Sequence, residues 1–166
     1  VTEKNASDKR DTTMRFLADR MLGKLAMYLR MLGYDTAYQS GISSEEMIES
    51  VGLEGRIILT RDTRLARKIA GRELLFIEDD IPLNQLRQVA EHFQLKLDRE
   101  QWFSLCLRCN ERLVIVQAED VAHLVPSYIL AAQKEFSRCP RCERVYWKGT
   151  HRERMEERIR KMMEGH

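Results

Sequence analysis

No stretch of the 166-residue chain is apolar for long enough to cross a membrane, since the longest uncharged run is short and holds Pro126. The opening VTEKNASDKRDTT is polar and lacks the apolar stretch of a secretory signal. Residues 1–13 are therefore expected to form a disordered leader, and the expected location is intracellular, in the cytoplasm. Three glycine motifs are missing: G-x-x-x-x-G-K-[ST], G-x-G-x-x-G and G-x-S-x-G. Phosphate-loop, dinucleotide-binding and nucleophile-elbow chemistry thus have no sequence support. The four histidines, at 92, 123, 151 and 166, are scattered. Metal-free RNA cleavage through paired general acid–base groups is disfavoured for that reason. A strong excess of one charge is lacking too, the net charge being only +2.

That small net charge hides an asymmetry. From Arg138 to His166 there are nine Lys or Arg against five Glu. A basic end can face a polyanion, but an excess of this size also fits a solvated helix of mixed charge, which is the reading favoured on charge alone.

What is present is 43% hydrophobic residues in periodic blocks, which excludes wholesale disorder and suffices for one core and a small satellite module. MRFLA (14–18) reads as a buried strand, and RMLGKLAMYLRMLG as a helix with Leu22, Leu25, Ala26, Leu29 and Leu32 on one face, stopped by Gly33. YDTAYQS (34–40) reads as a second strand. Ser43 or Ser44 caps the helix EEMIESVGL. RIILT (56–60) is a third strand, TRLARKIA a helix ended by Gly71, ELLFI (73–77) a fourth strand, and Pro82 opens the helix LNQLRQVAEHFQL. Alternating strands and helices predict an α/β fold with a parallel sheet covered by helices.

Three of those strands end in acid: Asp19, then Asp62, then Glu78-Asp79-Asp80. Each Asp alone has a plain role as a helix cap. Three strand ends in succession favour a site, because ligands bind beyond the carboxyl ends of strands in open parallel sheets. Gathered carboxylates need cations, and hard oxygen ligands select Mg2+ or Mn2+ completed by water and substrate phosphate. Such an ion supports hydrolysis of a phosphodiester. Arg20, Lys24, Arg61 and Arg64 lie close to Asp19 and Asp62 and suit a nucleic-acid backbone, although each alone reads equally as a solvated cation.

Beyond residue 98 the style changes. Cys106-Leu-Arg-Cys109 and Cys139-Pro-Arg-Cys142 are separated by 29 residues. Two C-x-x-C knuckles present four thiolates, the set for a closed, structural zinc site. A disulfide framework, a thioredoxin-like pair and an iron–sulfur cluster are the weaker readings. His123 and His151 are spare ligands to a shell that four Cys already fill. The interval holds the strand-like LVIVQ (113–117) and VPSYILAAQKEF, read as a helix begun near Pro126, so a ribbon with a helical insertion is expected. The tail from Thr150 reads as a charged helix.

FLADRMLGKLAMYLRMLGYD, RIILTRDTRLA, CLRCNERL and FSRCPRCERVYWKGTH together resemble the family named after the C-terminal RNase domain of the Mut-seven exonuclease. The resemblance runs from Met14 to about Met155. It implies a PIN-like nuclease domain over 14–98, a zinc ribbon over 99–150 and a charged helix over 151–166. It implies a Mg2+- or Mn2+-dependent ribonuclease with catalytic acids Asp19, Asp62 and Asp80 or Asp79. Related PIN-like chains carry an Asp at the start of the helix after the second strand. Here that position is Ser44, followed by Glu45 and Glu46, and Glu46 is the expected substitute, with Glu45 behind it. Tyr146 through His151 also match, with Trp147, Lys148 and His151 as implied RNA contacts and Tyr146 as structural. An alternative is a non-catalytic RNA-binding adaptor, motivated by Ser44. PIN domains also work as toxins, which makes an antitoxin or an RNA-processing partner an implied companion.

Overall fold

The computed structural model describes residues 14–69, 71 and 73–165. The expected leader, 1–13, lies outside the described residues. The chain divides into two compact units, the first ending at Phe103 and the second beginning at Ser104.

In the first unit strands and helices alternate as the periodicity requires: β1 (Phe16–Ala18), α1 (Gly23–Met31), β2 (Thr36–Tyr38), α2 (Ser44–Glu54), β3 (Ile57–Thr60), α3 (Thr63–Lys68), β4 (Leu74–Phe76) and α4 (Pro82–His92). The four strands form one parallel sheet in the order β2-β1-β3-β4. Every residue of β1 and β3 is buried, as expected of central strands with helices on both faces. Leu17 pairs in register with Ile58, and both gather with Met47 of α2, Leu65 of α3 and Ile69 just after it in one apolar cluster. Phe16, one residue away and so on the opposite face, meets Phe93 at 5.6 Å and Tyr34 at 6.1 Å between ring centroids. On α1, Gly33 stops the helix as read from the sequence. It sits at φ +89°, its N–H bonds to the Arg30 carbonyl and the Tyr34 N–H to that of Leu29, and a Cβ there would lie 2.6 Å from the Gln101 carbonyl oxygen.

The strands are shorter than the apolar runs that announced them. YDTAYQS supplies only the three residues of β2: Asp35 gives β1 one further bond, its carbonyl accepting from the Phe16 N–H at 2.9 Å, and the chain turns after Tyr38 ahead of α2.

The second unit contains β5 (Val114–Val116), α5 (Ala118–Val121), α6 (Ser127–Ala132), β6 (Phe136–Arg138), β7 (Val145–Trp147) and α7 (Thr150–Glu164). Its strands form an antiparallel sheet in the order β5-β6-β7. Val121, Val125 and Phe136 make a small core, with Val116, Val145 and Trp147 packed against it. The helix expected over VPSYILAAQKEF stops at Ala132, since Gln133 is already extended (φ −109°, ψ 142°) and Phe136 is needed in β6 opposite Val116 and Trp147. Helix α7 carries its charges in pairs, Arg152–Glu156 at 2.8 Å and Arg160–Glu157 at 2.8 Å, and buries Met155, Ile159 and Met162. Among the described residues no helix is long and apolar enough to cross a membrane.

Candidate functional site

The strand order places a switch point between β1 and β3: the chain leaves β1 toward β2 on one side and returns to β3 on the other. A crevice is expected at the carboxyl ends of these two strands. Asp19 follows β1 directly, and its N–H bonds to the Leu59 carbonyl at 3.0 Å. The residue is 5% exposed. Its Oδ2 accepts from Thr60 Oγ1 at 2.6 Å and from the Arg61 N–H at 2.8 Å, while Oδ1 accepts from the Met21 N–H at 2.8 Å. Three donors on a buried carboxylate fix its orientation.

Thr60 closes β3, is fully buried, and also accepts from the Asp62 N–H at 3.0 Å. One hydroxyl thus ties the first acid to the backbone of the second. Asp62 caps α3, its Oδ1 accepting from the Arg64 N–H at 2.8 Å and the Leu65 N–H at 3.2 Å. Oδ2 has no partner among the described residues. A cleft of about 530 Å³ is lined by Asp19 and Asp62 together with Arg20, Arg61, Arg64, Ser43 and Ser44. Cap and cleft wall are therefore the same residue, and the two readings of Asp62 are compatible.

The other expected acids stand elsewhere. Glu46 forms a capping box with Ser43: its Oε2 accepts from the Ser43 N–H at 2.7 Å, and the Glu46 N–H bonds to Ser43 Oγ at 3.2 Å. These bonds hold its carboxyl below the usual value of 4.5. Glu45 pairs with Lys68 at 2.7 Å. Neither glutamate lines the cleft, whose wall at this point is Ser43 and Ser44. Asp79 lies in the loop before α4, accepting from the Ile81 N–H at 2.7 Å and Asn84 Nδ2 at 3.0 Å, and lines a second cleft with Glu78 and Arg87. The Ile81 N–H, then Asn84, lower its pKa. Asp80 is exposed and paired with the Arg61 guanidinium, which also donates to the Asp79 carbonyl. Arg61 thus gives its N–H to Asp19 and its side chain to the loop after β4. Lys24 is exposed on α1 and does not line the cleft. Thr60 was not among the expected site residues. Its signal was present as the one polar residue closing the buried strand IILT.

The cysteines converge. Their four sulfurs lie within 4.8 Å of one another, and among the described residues they are the one group of three or more His, Cys, Asp or Glu that does so. Cys106 and Cys142 sulfurs are 3.7 Å apart. That is far longer than a disulfide, and it matches the roughly 3.8 Å edge of a tetrahedron with metal–sulfur bonds of about 2.3 Å. The two knuckles have one geometry. Asn110 (φ 64°) bonds back to the Cys106 carbonyl at 2.9 Å, and Glu143 (φ 62°) to that of Cys139 at 3.0 Å. The Cys109 N–H reaches Cys106 Sγ at 3.4 Å, and the Cys142 N–H reaches Cys139 Sγ at 3.5 Å. Burial pushes the Cys106 thiol up, but hydrogen bonds from Tyr146 and the knuckle backbone outweigh it and hold the thiol at about 7. This group can hold a metal such as zinc. His123 and His151 are exposed and outside it.

A family model described as Mut7-C RNAse domain matches residues 14–159. The chain belongs to the Mut7-C RNAse domain family. The match takes in both cleft acids and all four cysteines, so the two sites belong to one family unit and not to a fusion of unrelated pieces. The family's description points to a nuclease. No curated protein matches the chain. Of the residues implied as RNA contacts in the second unit of this Mut7-C chain, Trp147 packs against the small core, while Lys148 and His151 are exposed.

Proposed function

We propose that this Mut7-C chain is a ribonuclease that hydrolyses RNA phosphodiester bonds at the Asp19–Asp62 cleft with Mg2+ or Mn2+, and that its cysteines hold a structural zinc ion. The observation that carries the reading is the meeting of two strand-end acids at the sheet's switch point, in a cleft also lined by three arginines.

The donor set fits a hard divalent ion. A carboxylate offers about four acceptor sites. Three on Asp19 and two on Asp62 are taken by hydrogen bonds, so both retain oxygen lone pairs. One or two carboxylates with water and phosphate oxygens suffice for Mg2+. When bound, the ion would supply an acidified water and charge neutralisation. The chain's residues do the rest. Thr60 and the Arg61 N–H hold Asp19 still. Arg20 and Arg64, which line the same cleft, bind the phosphodiester. Water adds to phosphorus, the bond to the 3′ oxygen breaks, and that oxygen takes a proton, giving 5′-phosphate and 3′-hydroxyl ends. At the cysteines, four thiolates leave no open position, so that metal folds the unit and takes no part in the chemistry.

One observation favours a second reading, a non-catalytic RNA-binding adaptor. The resemblance implies an acid where Ser44 stands, and Glu46, the expected substitute, is engaged in the capping box. RNA and DNA are to be incubated with the protein, with and without Mn2+, beside Asp62→Asn. Cleavage of RNA that needs the ion and Asp62 supports the nuclease. Salt-dependent RNA binding without cleavage in either ion supports the adaptor.

A further inference from the structure

The two knuckles match in backbone but differ in what surrounds their leading sulfurs. Cys139 Sγ receives the Cys142 N–H, and among the described residues no hydroxyl bonds to it. Cys106 Sγ receives the Cys109 N–H and also has the Tyr146 hydroxyl at 3.2 Å. The phenol oxygen in turn accepts the Leu107 N–H at 3.2 Å. That contact fixes the direction of the other. An oxygen accepting from Leu107 has one proton to give, and a thiolate in a metal centre has none, so the phenol is the donor to sulfur. Tyr146 is at the middle of β7, opposite Ser137, on the strand that follows the second knuckle. Its hydroxyl therefore links the two cysteine pairs without using a cysteine.

We propose that Tyr146 is a positioning residue of the four-cysteine centre, its hydroxyl donating to the Cys106 thiolate so as to hold that sulfur in place and lower its reactivity. The inference rests on the reading of the cysteines as a metal centre. A hydrogen bond to a ligating sulfur withdraws electron density from it, which lowers its nucleophilicity toward electrophiles. It also fixes the ligand's orientation, and outer partners of this kind are commonly worth 10–100-fold in metal affinity. A tyrosine that merely filled space would do the same with a phenylalanine ring.

The test uses the full chain and Tyr146→Phe, which keeps the ring, with Tyr128→Phe as a control because Tyr128 is 71% exposed. Loaded with Co2+, the Tyr146→Phe protein should show its sulfur-to-cobalt charge-transfer band at lower energy than wild type. Loaded with zinc, it should release the ion to a thiol-modifying reagent about 10-fold faster. The control should match wild type in both. In wild-type protein loaded with NMR-active cadmium, the Tyr146 hydroxyl proton should couple to the metal through Cys106 Sγ, a readout that needs no variant to fold. A variant identical to wild type in band and release rate, or a cadmium-loaded wild type without that coupling, overturns the proposal. The metal reading fails separately, if wild-type protein shows no sulfur-to-cobalt band at all, and the proposal then falls with it.

Discussion

Asp19 has both carboxylate oxygens engaged and Asp62 only Oδ1, and the difference decides which substitution is informative. Both oxygens of Asp19 face N–H or O–H donors inside the fold. Asp19→Asn must set an amide N–H against one of them, so it should lose about 1–3 kcal/mol in chemical denaturation as well as activity. Asp62 caps α3, and Asn caps nearly as well as Asp, so Asp62→Asn should keep the wild-type midpoint. Thr60→Val removes the donor to Asp19 and the acceptor for the Asp62 N–H in a fully buried position. A loss of about 1–3 kcal/mol is expected. A variant as stable as wild type would show that the two acids are not tied through this hydroxyl. At this scale the sequence marked Asp19 and Asp62 because acids after apolar strands are conspicuous. Thr60 was overlooked although it is the one polar residue of IILT, because its importance lies in two hydrogen bonds, across 41 residues and two residues, that no spacing rule encodes.

Helix α2 begins with a device legible only in part. A serine cap was readable, yet Glu46 reads equally as a catalytic acid and as the partner of a capping box. The structure gives it the box with Ser43, and the carboxyl is held below 4.5 by those bonds. A depressed folded-state pKa means that the contribution is complete above the unfolded value and is lost as pH falls through the folded one. Thermal midpoints of wild type and Glu46→Ala should therefore differ at neutral pH, and the gap should narrow as pH falls below 4.5 and through the lower folded-state value. A gap that persists unchanged in acid would contradict this role. Element type was easiest to read in the first unit, where long apolar blocks alternate. The strands β6 and β7 escaped because Phe136 looked like the end of a helix and Tyr146 and Trp147 were read as part of the Tyr146–His151 cluster. Their existence depends on cross-strand partners, not on local pattern.

The two units have unequal means of staying folded. The first has a sheet with apolar residues packed on both faces, whereas the cluster of Val121, Val125 and Phe136 in the second is small. The cysteine centre is expected to supply the difference. Chelation under reducing conditions should strip amide-exchange protection from β5–β7 and leave β1 and β3 protected. Equal protection before and after metal removal would contradict a structural role for the site. The change of style after residue 98 made the second unit visible in the sequence. The contacts that carry the first unit to Phe103, such as the Phe103 N–H on the Met31 carbonyl at 2.7 Å, join distant parts of the chain and leave no local trace.

The central claim is that the cleft between β1 and β3 cuts RNA. The direct measurement is cleavage of a labelled RNA by wild-type and Asp62→Asn protein in Mn2+, with folding of both verified by denaturation. The account predicts ion-dependent products from wild type, none from the variant, and superimposable denaturation curves. Undiminished cleavage by a correctly folded Asp62→Asn protein would contradict it.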